Sequence, residues 1–362
     1  MLTSIVGHRN GGVEGLGEVR VPKALRQRDP VLLAPLAGLA VVDDSEPGVR
    51  RVRCGRGFRY VGLDGETIRV PEKGRLVELA VPPAWESVWL SPIETGYLQA
   101  TGRDAADRKQ YRYHDAYREL RDRQKFDRLR YFPRALKQLR AASQLWLSAE
   151  PGSQPYAVGA VLRLIDVGLI RMGNDASAQN HHHGATTLQA DHLDVEPDED
   201  YVELRYTSKG GKERIVVIED DQLVEVLQSL ADPDTERLFW YHDAQGEQVQ
   251  VTPTEVNRSI TELVGPAFTA KDFRTWGGSR AALVARAEGA SEIEAVDAAA
   301  TMLGNTRAVA RSSYVHPTVL SSAGPDLERL WHSSRSSASM SRGDSALSKV
   351  LRQAAPLLGP LE

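Results

Sequence analysis

Lys109-Gln110-Tyr111-Arg112-Tyr113-His114, followed by Asp115-Ala116-Tyr117, is where the hydrophobic period of this chain changes. Up to His114 the residues alternate, so Tyr111 and Tyr113 share one face of a strand with bases on either side. From Tyr117 the repeat lengthens. Leu129, Phe132, Leu136, Leu139 and Ala142 recur at three- and four-residue spacings, as a helix with one buried stripe requires. The junction divides the chain into strands before it and mainly helices after it. The expected fold is α+β: a small β-rich unit over residues 29–116, and a larger, mainly α-helical unit over 117–332 that carries a β-hairpin.

Upstream of the junction, Phe58-Arg59-Tyr60-Val61 and Thr67-Ile68-Arg69-Val70 are bulky runs broken by glycines, which reads as hairpins. Ser87-Val88-Trp89-Leu90 and Tyr97-Leu98-Gln99-Ala100-Thr101 are two further extended segments. Residues 1–28 mix Gly, Arg and Glu without a period and are expected to be mobile. The formal net charge is -4, which is not that of a usual nucleic-acid binder, but binding depends on which face carries the charge. Between Gln99 and Arg140 there are thirteen Lys and Arg against six Asp and Glu. That stretch is either a solvated helix face beside tyrosines packed inward, or a surface for a nucleic-acid groove and backbone. The one cysteine, Cys54, excludes a disulfide framework within the chain and is expected half-buried in a strand. The apolar run Val31–Val42 is too short to span a bilayer and no signal core opens the chain, so a soluble cytoplasmic protein is expected.

Downstream, Ala157–Arg171 reads as an apolar helix stopped by Gly173. Arg163 on that helix needs a partner, for which Asp166 is placed. Arg171 at its end either balances the helix dipole or points its fork at an anion. Asn180-His181-His182-His183-Gly184 is read as a polar loop that can touch a phosphate, because adjacent histidines do not converge on one ion; no metal is expected. Tyr201–Ile218 is a hairpin turning at Ser208-Lys209-Gly210-Gly211-Lys212, and Lys209 taken alone is an ordinary solubilising residue. Helical signals return at Gln222–Leu230 and Thr254–Leu263, the second with Thr254 as its cap. Arg274, beside Phe273 and Trp276, precedes a helix expected over Ser279–Ala287. After Trp331 the chain is Ser-rich, and 333–362 is expected as a tail or a loosely docked last helix.

Tyr314 lies in Leu303-Gly304-Asn305-Thr306-Arg307-Ala308-Val309-Ala310-Arg311-Ser312-Ser313-Tyr314-Val315-His316-Pro317, a run of small and basic residues. A phenol ionises near pH 10 and attacks usefully only where cations stabilise the phenolate. Arg171, Lys209 and Arg274 precede it in that order. Together they supply what phosphoryl transfer to a phenol requires: two guanidiniums on the non-bridging oxygens, a lysine that protonates the leaving oxygen, and a nucleophile in line. The arginines take the part a divalent ion would otherwise fill.

In these stretches the chain resembles the bacterial type IB DNA topoisomerases, a group similar to the small viral enzymes. The resemblance rests on Pro82-Pro83-Ala84-Trp85, Leu98–Asp104 with Arg108–His114, Lys125-Phe126-Asp127-Arg128, Ile170–Asn174, Ser208–Lys212, Lys271–Gly277, and Gly304–Thr306 through Ser313–Pro317, in family order over roughly residues 45 to 330. It implies that Arg171 and Arg274 bind the scissile phosphate, that Lys209 is the general acid, and that Tyr314 forms a 3′-phosphotyrosyl bond. Asn305 stands where the viral enzymes have a histidine, and it can donate a hydrogen bond without being cationic. Asn174 and Ser177 replace a lysine and a tyrosine that read the target in the viral enzymes, so their sequence preference does not carry over.

Gln99, Arg103, Arg108, Lys109, Tyr111, Tyr113 and Lys212 are the expected DNA contacts, in a monomer that closes as a clamp around duplex DNA, needs no cofactor and works in the cytoplasm at the nucleoid. The alternatives are a tyrosine recombinase, which would carry a histidine where Lys271 stands, and a DNA-binding protein without activity. Asn305 and Tyr314 are nine residues apart, on opposite sides of any one helix, so both reach one phosphate only if Asn305 precedes the helix and Thr306 caps it.

Overall fold

The computed structural model describes residues 17–69, 73–195, 200–231 and 235–359. Residues 1–16 of the segment expected to be mobile, and Val70 of the second expected hairpin strand, lie outside the described residues. The architecture is α+β, a β-rich region first and a helical portion after it. By contacts the chain forms two compact units: Pro22–Asp127 with the stretch from Pro356, and Arg128–Ala355 with the stretch up to Val21. The division falls inside the helix Asp115–Leu129.

The first unit is an antiparallel sheet of β1 (Val49–Cys54), β2 (Gly57–Val61), β3 (Glu86–Leu90), β4 (Leu98–Arg103) and β5 (Lys109–Tyr113). Its order is β2-β1-β3-β4-β5, so β5 is an edge strand. Val49, Tyr60, Val88, Leu90 and Ala100 form its core with Leu76. Thr67 makes only an isolated bridge to Val61, and the second expected run is not a strand among the described residues. Cys54, expected half-buried, is exposed at the end of β1. The described part of the opening segment is anchored: Leu25 is fully buried, and the Gln124 amide donates to Ala24 O and Gln27 O. Val19, Val21 and Leu25 are buried, and their spacings of two and four fit neither a strand nor a helix period alone, which leaves no repeat to read.

The second unit packs the helices Phe132–Leu147, Gln154–Val167, Pro253–Val264, Ala270–Ala287 and Glu292–Leu303 around aromatic contacts. Phe132 meets Phe268 and Phe273 edge-on at 5.3 and 5.5 Å and lies 5.8 Å from Trp276. The stripe predicted after the junction therefore packs on the aromatics beside Arg274. The expected hairpin is β7 (Val202–Ser208) and β8 (Lys212–Ile218), with β6 (Leu193–Asp194) on its outer side; β9 (Trp240–His242) and β10 (Gln248–Gln250) pair separately. Gly210 and Gly211 take φ of 90° and 73° at its tip, the left-handed turn that a side chain would resist.

Several local expectations need correcting. The helix expected to run to Arg171 ends at Val167, because Leu169 takes φ 49° and turns the chain away. The helix carrying Arg274 starts at Ala270, nine residues early, where the Asp272 carboxylate accepts the Thr269 N–H. Thr252, and not Thr254, caps Pro253–Val264 in a capping box with Glu255. Arg163 pairs chiefly with Asp220, while Asp166 accepts two bonds from Arg140. The Ser-rich end holds a helix, Arg342–Gln353, with Leu347, Val350 and Leu351 buried. Asp344 at its start, fully buried, accepts from Arg140, Arg280 and the Trp276 indole.

Candidate active site

Tyr314 ends the short helix Arg307–Ser313, which Thr306 caps by accepting the Val309 N–H. Asn305 therefore lies before the helix, and both residues reach one place. The Tyr314 backbone is pinned from the helix Ala270–Ala287: Ser279 Oγ donates to Tyr314 O at 3.0 Å and accepts the His316 N–H at 2.9 Å. One residue earlier, a Cβ on Gly278 would lie 2.8 Å from Leu303 Cδ1 and 3.2 Å from Tyr314 Cβ, so only glycine lets the helices approach. The sequence signals these two contacts only through the run of small residues Gly277-Gly278-Ser279 after Trp276.

Two guanidiniums close on the phenol. Arg171 Nη1 donates to Tyr314 Oη at 3.3 Å, and its Nη2 donates to Asn305 Oδ1 at 2.5 Å. Arg171 comes from the extended segment after Leu169, so the helix-dipole reading of it falls away. Arg274 lies over the Tyr314 ring, 5.1 Å from its centre, and its two Nη groups donate to Leu169 O and Leu303 O. The side chains of Leu169, Leu303 and Tyr314 form one buried cluster, so the leucines that hold the guanidinium also pack Tyr314.

Burial by itself would raise the Tyr314 phenol, yet Arg274 and Arg171 more than offset that and its pKa is lowered. Arg274 is brought down to about 10 by burial first and by the Arg171 charge second, which leaves it cationic at neutral pH. At this site two buried donors, Asn305 Nδ2 and Arg274 Nε, have no partner among the described residues. Nature rarely leaves such groups unmet, and both flank the phenol.

Four of the five expected residues, Arg171, Arg274, Asn305 and Tyr314, are brought together. Lys209 is not: it stands on the exposed turn between β7 and β8 and makes none of the contacts that join the others. Lys212, also on that turn, lines a cleft with Arg214, Gly304, Asn305 and Arg307.

Among the expected DNA contacts, Tyr111 and Tyr113 stand on β5 with rings stacked 6.0 Å apart and nearly parallel, both exposed, and Lys109 lies 5.5 Å over the Tyr111 ring. Lys109 also pairs with Asp44, Arg108 with Asp104, and Arg103 with Asp107. Gln99 is placed differently. It is 4 % exposed, donates to Glu94 O and Gly96 O and accepts from Arg75, so its amide braces the loop before β4.

An α+β scaffold that closes two guanidiniums on one phenol is built to receive an anion. Residues 114–333 match the family described as the eukaryotic DNA topoisomerase I catalytic core, and residues 57–104 match the bacterial DNA topoisomerase IB N-terminal domain. The chain is 28% identical over 238 residues to the DNA topoisomerase 1B of Acanthamoeba polyphaga mimivirus, spanning 64% of this chain and 70% of that one. The chain belongs to the DNA topoisomerase I family and is a type IB enzyme. Among the described residues no helix is long and apolar enough to cross a membrane.

Proposed function

We propose that this enzyme relaxes supercoiled duplex DNA through a transient 3′-phosphotyrosyl bond carried by Tyr314. The observation that supports this most is the pair of buried, unmet donors, Asn305 Nδ2 and Arg274 Nε, beside a phenol of lowered pKa. A phosphodiester entering there would take both donors and the Arg171 fork on its non-bridging oxygens. The Tyr314 phenol loses its proton to water and its oxygen attacks phosphorus, the bond to the 5′ oxygen breaks, and Lys209 gives that oxygen its proton, to be regained from water. Lys209 reaches the site by movement of its glycine turn when DNA binds, as catalytic contacts often tighten only in the complex. The freed strand swivels, and the 5′ hydroxyl attacks the phosphotyrosine to restore the original bond. Since one phosphate ester replaces another at each step, neither ATP nor a metal ion enters the balance.

The enzyme works as a monomer in the cytoplasm at the nucleoid, both units taking hold of duplex DNA as a clamp through Arg103, Arg108, Lys109, Tyr111, Tyr113 and Lys212. Gln99 supports that surface from behind. Plasmid relaxation in EDTA without nucleotide tests the reading. Supercoils that disappear only when a divalent ion or ATP is added would overturn it.

A further inference from the structure

Arg214 lies at an inward position of β8, opposite the buried Tyr206 on β7. Val216 and Ile218, the next inward residues, are buried and apolar, so a guanidinium at Arg214 breaks the pattern of its strand. Its fork reaches the end of a neighbouring helix. Nη1 donates to Thr301 O at 3.3 Å and Nη2 to Met302 O at 2.5 Å, both in the last turn of the helix Glu292–Leu303. Thr301 O also accepts the N–H of the cap residue Gly304, so Arg214 and the cap share the end of this helix, and a cation there meets the negative end of its dipole.

That helix stops at Gly304, in the left-handed region at φ 60°, and Asn305 follows. A Cβ on Gly304 would lie 2.7 Å from Arg214 Nη1, so the guanidinium sits directly against the backbone that sets the direction of Asn305. Asn305 is in turn held at Oδ1 by Arg171, which leaves Nδ2 as its free donor. Arg214 also lies close to other groups of the site: burial raises the Tyr206 phenol and the Arg214 charge offsets only part of that, while Arg274, lowered first by burial and then by Arg171, is lowered a little further by Arg214.

We infer that Arg214 is a positioning residue for strand cleavage: by clamping the helix end before Gly304 it aims Asn305 Nδ2 at the phosphate. It is not a group that touches the reacting atoms. The inference rests on the proposed role of Asn305 and deepens it, since it names what holds that donor in place. Lysine cannot replace the fork, because it meets two carbonyls with a single point charge.

The test is a double-mutant cycle on a suicide duplex, with single-turnover cleavage and equilibrium DNA affinity measured on the full chain. Arg214→Ala should cut the cleavage rate by about tenfold to a hundredfold, the cost of a displacement on the order of an ångström, with affinity changed by less than about twofold. Arg214→Lys should fall between that variant and the parent, and it carries the same cycle if Arg214→Ala does not fold. On an Asn305→Ala background the Arg214 exchange should cost less than about threefold, because nothing remains to be aimed. A full-rate Arg214→Ala, a loss confined to affinity, or equal losses on both backgrounds overturns the inference alone when Asn305→Ala is itself slow. A full-rate Asn305→Ala overturns the reading of Asn305 and the inference with it.

Discussion

The Tyr314 phenol is held below the ordinary tyrosine value by two neighbouring guanidiniums that oppose the effect of its own burial. Free-enzyme absorbance titration, taken as the difference between parent and Tyr314→Phe, should therefore show a phenol ionising below the ordinary tyrosine value of about 10. In Arg171→Ala the same transition should move to higher pH, since removing a cation destabilises the phenolate; no movement would mean that Arg171 does not act on it. Tyr314→Phe should bind DNA as the parent does and relax nothing, and near-normal relaxation would remove the nucleophile. Lys209→Ala should slow cleavage by roughly two to four orders of magnitude, the usual range for a general acid. A bridging 5′ thiolate, which leaves without a proton, should restore most of that. The exposed turn makes this the sharpest of the residue tests, because the other four groups are already gathered without Lys209.

The helix Ala270–Ala287 carries the site on one face and the fold on the other. Arg274 and Ser279 hold the Tyr314 segment, while Phe273 and Trp276 pack on Phe132. Gly278→Ala puts a methyl against Leu303 and Tyr314; it should cost about 1 to 3 kcal/mol by overpacking and lower cleavage more than affinity, read by denaturant unfolding beside single-turnover rates. The last helix, Arg342–Gln353, is tied to the same element through Asp344 and Trp276 Nε1. Burial would raise the Asp344 carboxyl, but Arg280 and Arg140, with the Trp276 indole N–H, hold it down to about 2. A carboxyl lowered on folding stabilises above its unfolded value of about 4 and loses that contribution as pH falls from there to about 2. Thermal midpoints should accordingly drop through that window, and Asp344→Ala, whose midpoint at neutral pH should be lower by the equivalent of about 3 to 5 kcal/mol, should flatten the drop. A parallel fall in both proteins would exclude Asp344 as its cause.

Taken over the whole molecule, the net charge of -4 says little about DNA, because the bases are concentrated in one stretch and many are paired with acids. In the proposed DNA contacts, Lys109, Arg108 and Arg103 would exchange those acidic partners for phosphates. Affinity should still fall steeply with salt, since each phosphate met releases counterions. A flat response between low and physiological salt would argue against phosphate contacts as the basis of binding.

Much of this was legible in local sequence. The change of period at His114–Tyr117, the double glycine between Lys209 and Lys212 and the Thr306 cap are each written within a few residues, because strand alternation, helix repeat and turn geometry depend on near neighbours, whereas Asn305 was pointed to only by the family resemblance. The end of the Arg171 helix, the docking of Arg342–Gln353 and the inward burial of Gln99 were not. Each depends on partners far along the chain: Leu169 packs on Leu303, Arg140 meets Asp344, and Gln99 accepts from Arg75. Burial and charge pairing at such separations are settled by how elements pack in space, and no local repeat records them. For the same reason the residues suggested a tyrosine among cations, while packing alone left Asn305 and Arg274 each with one buried donor unmet.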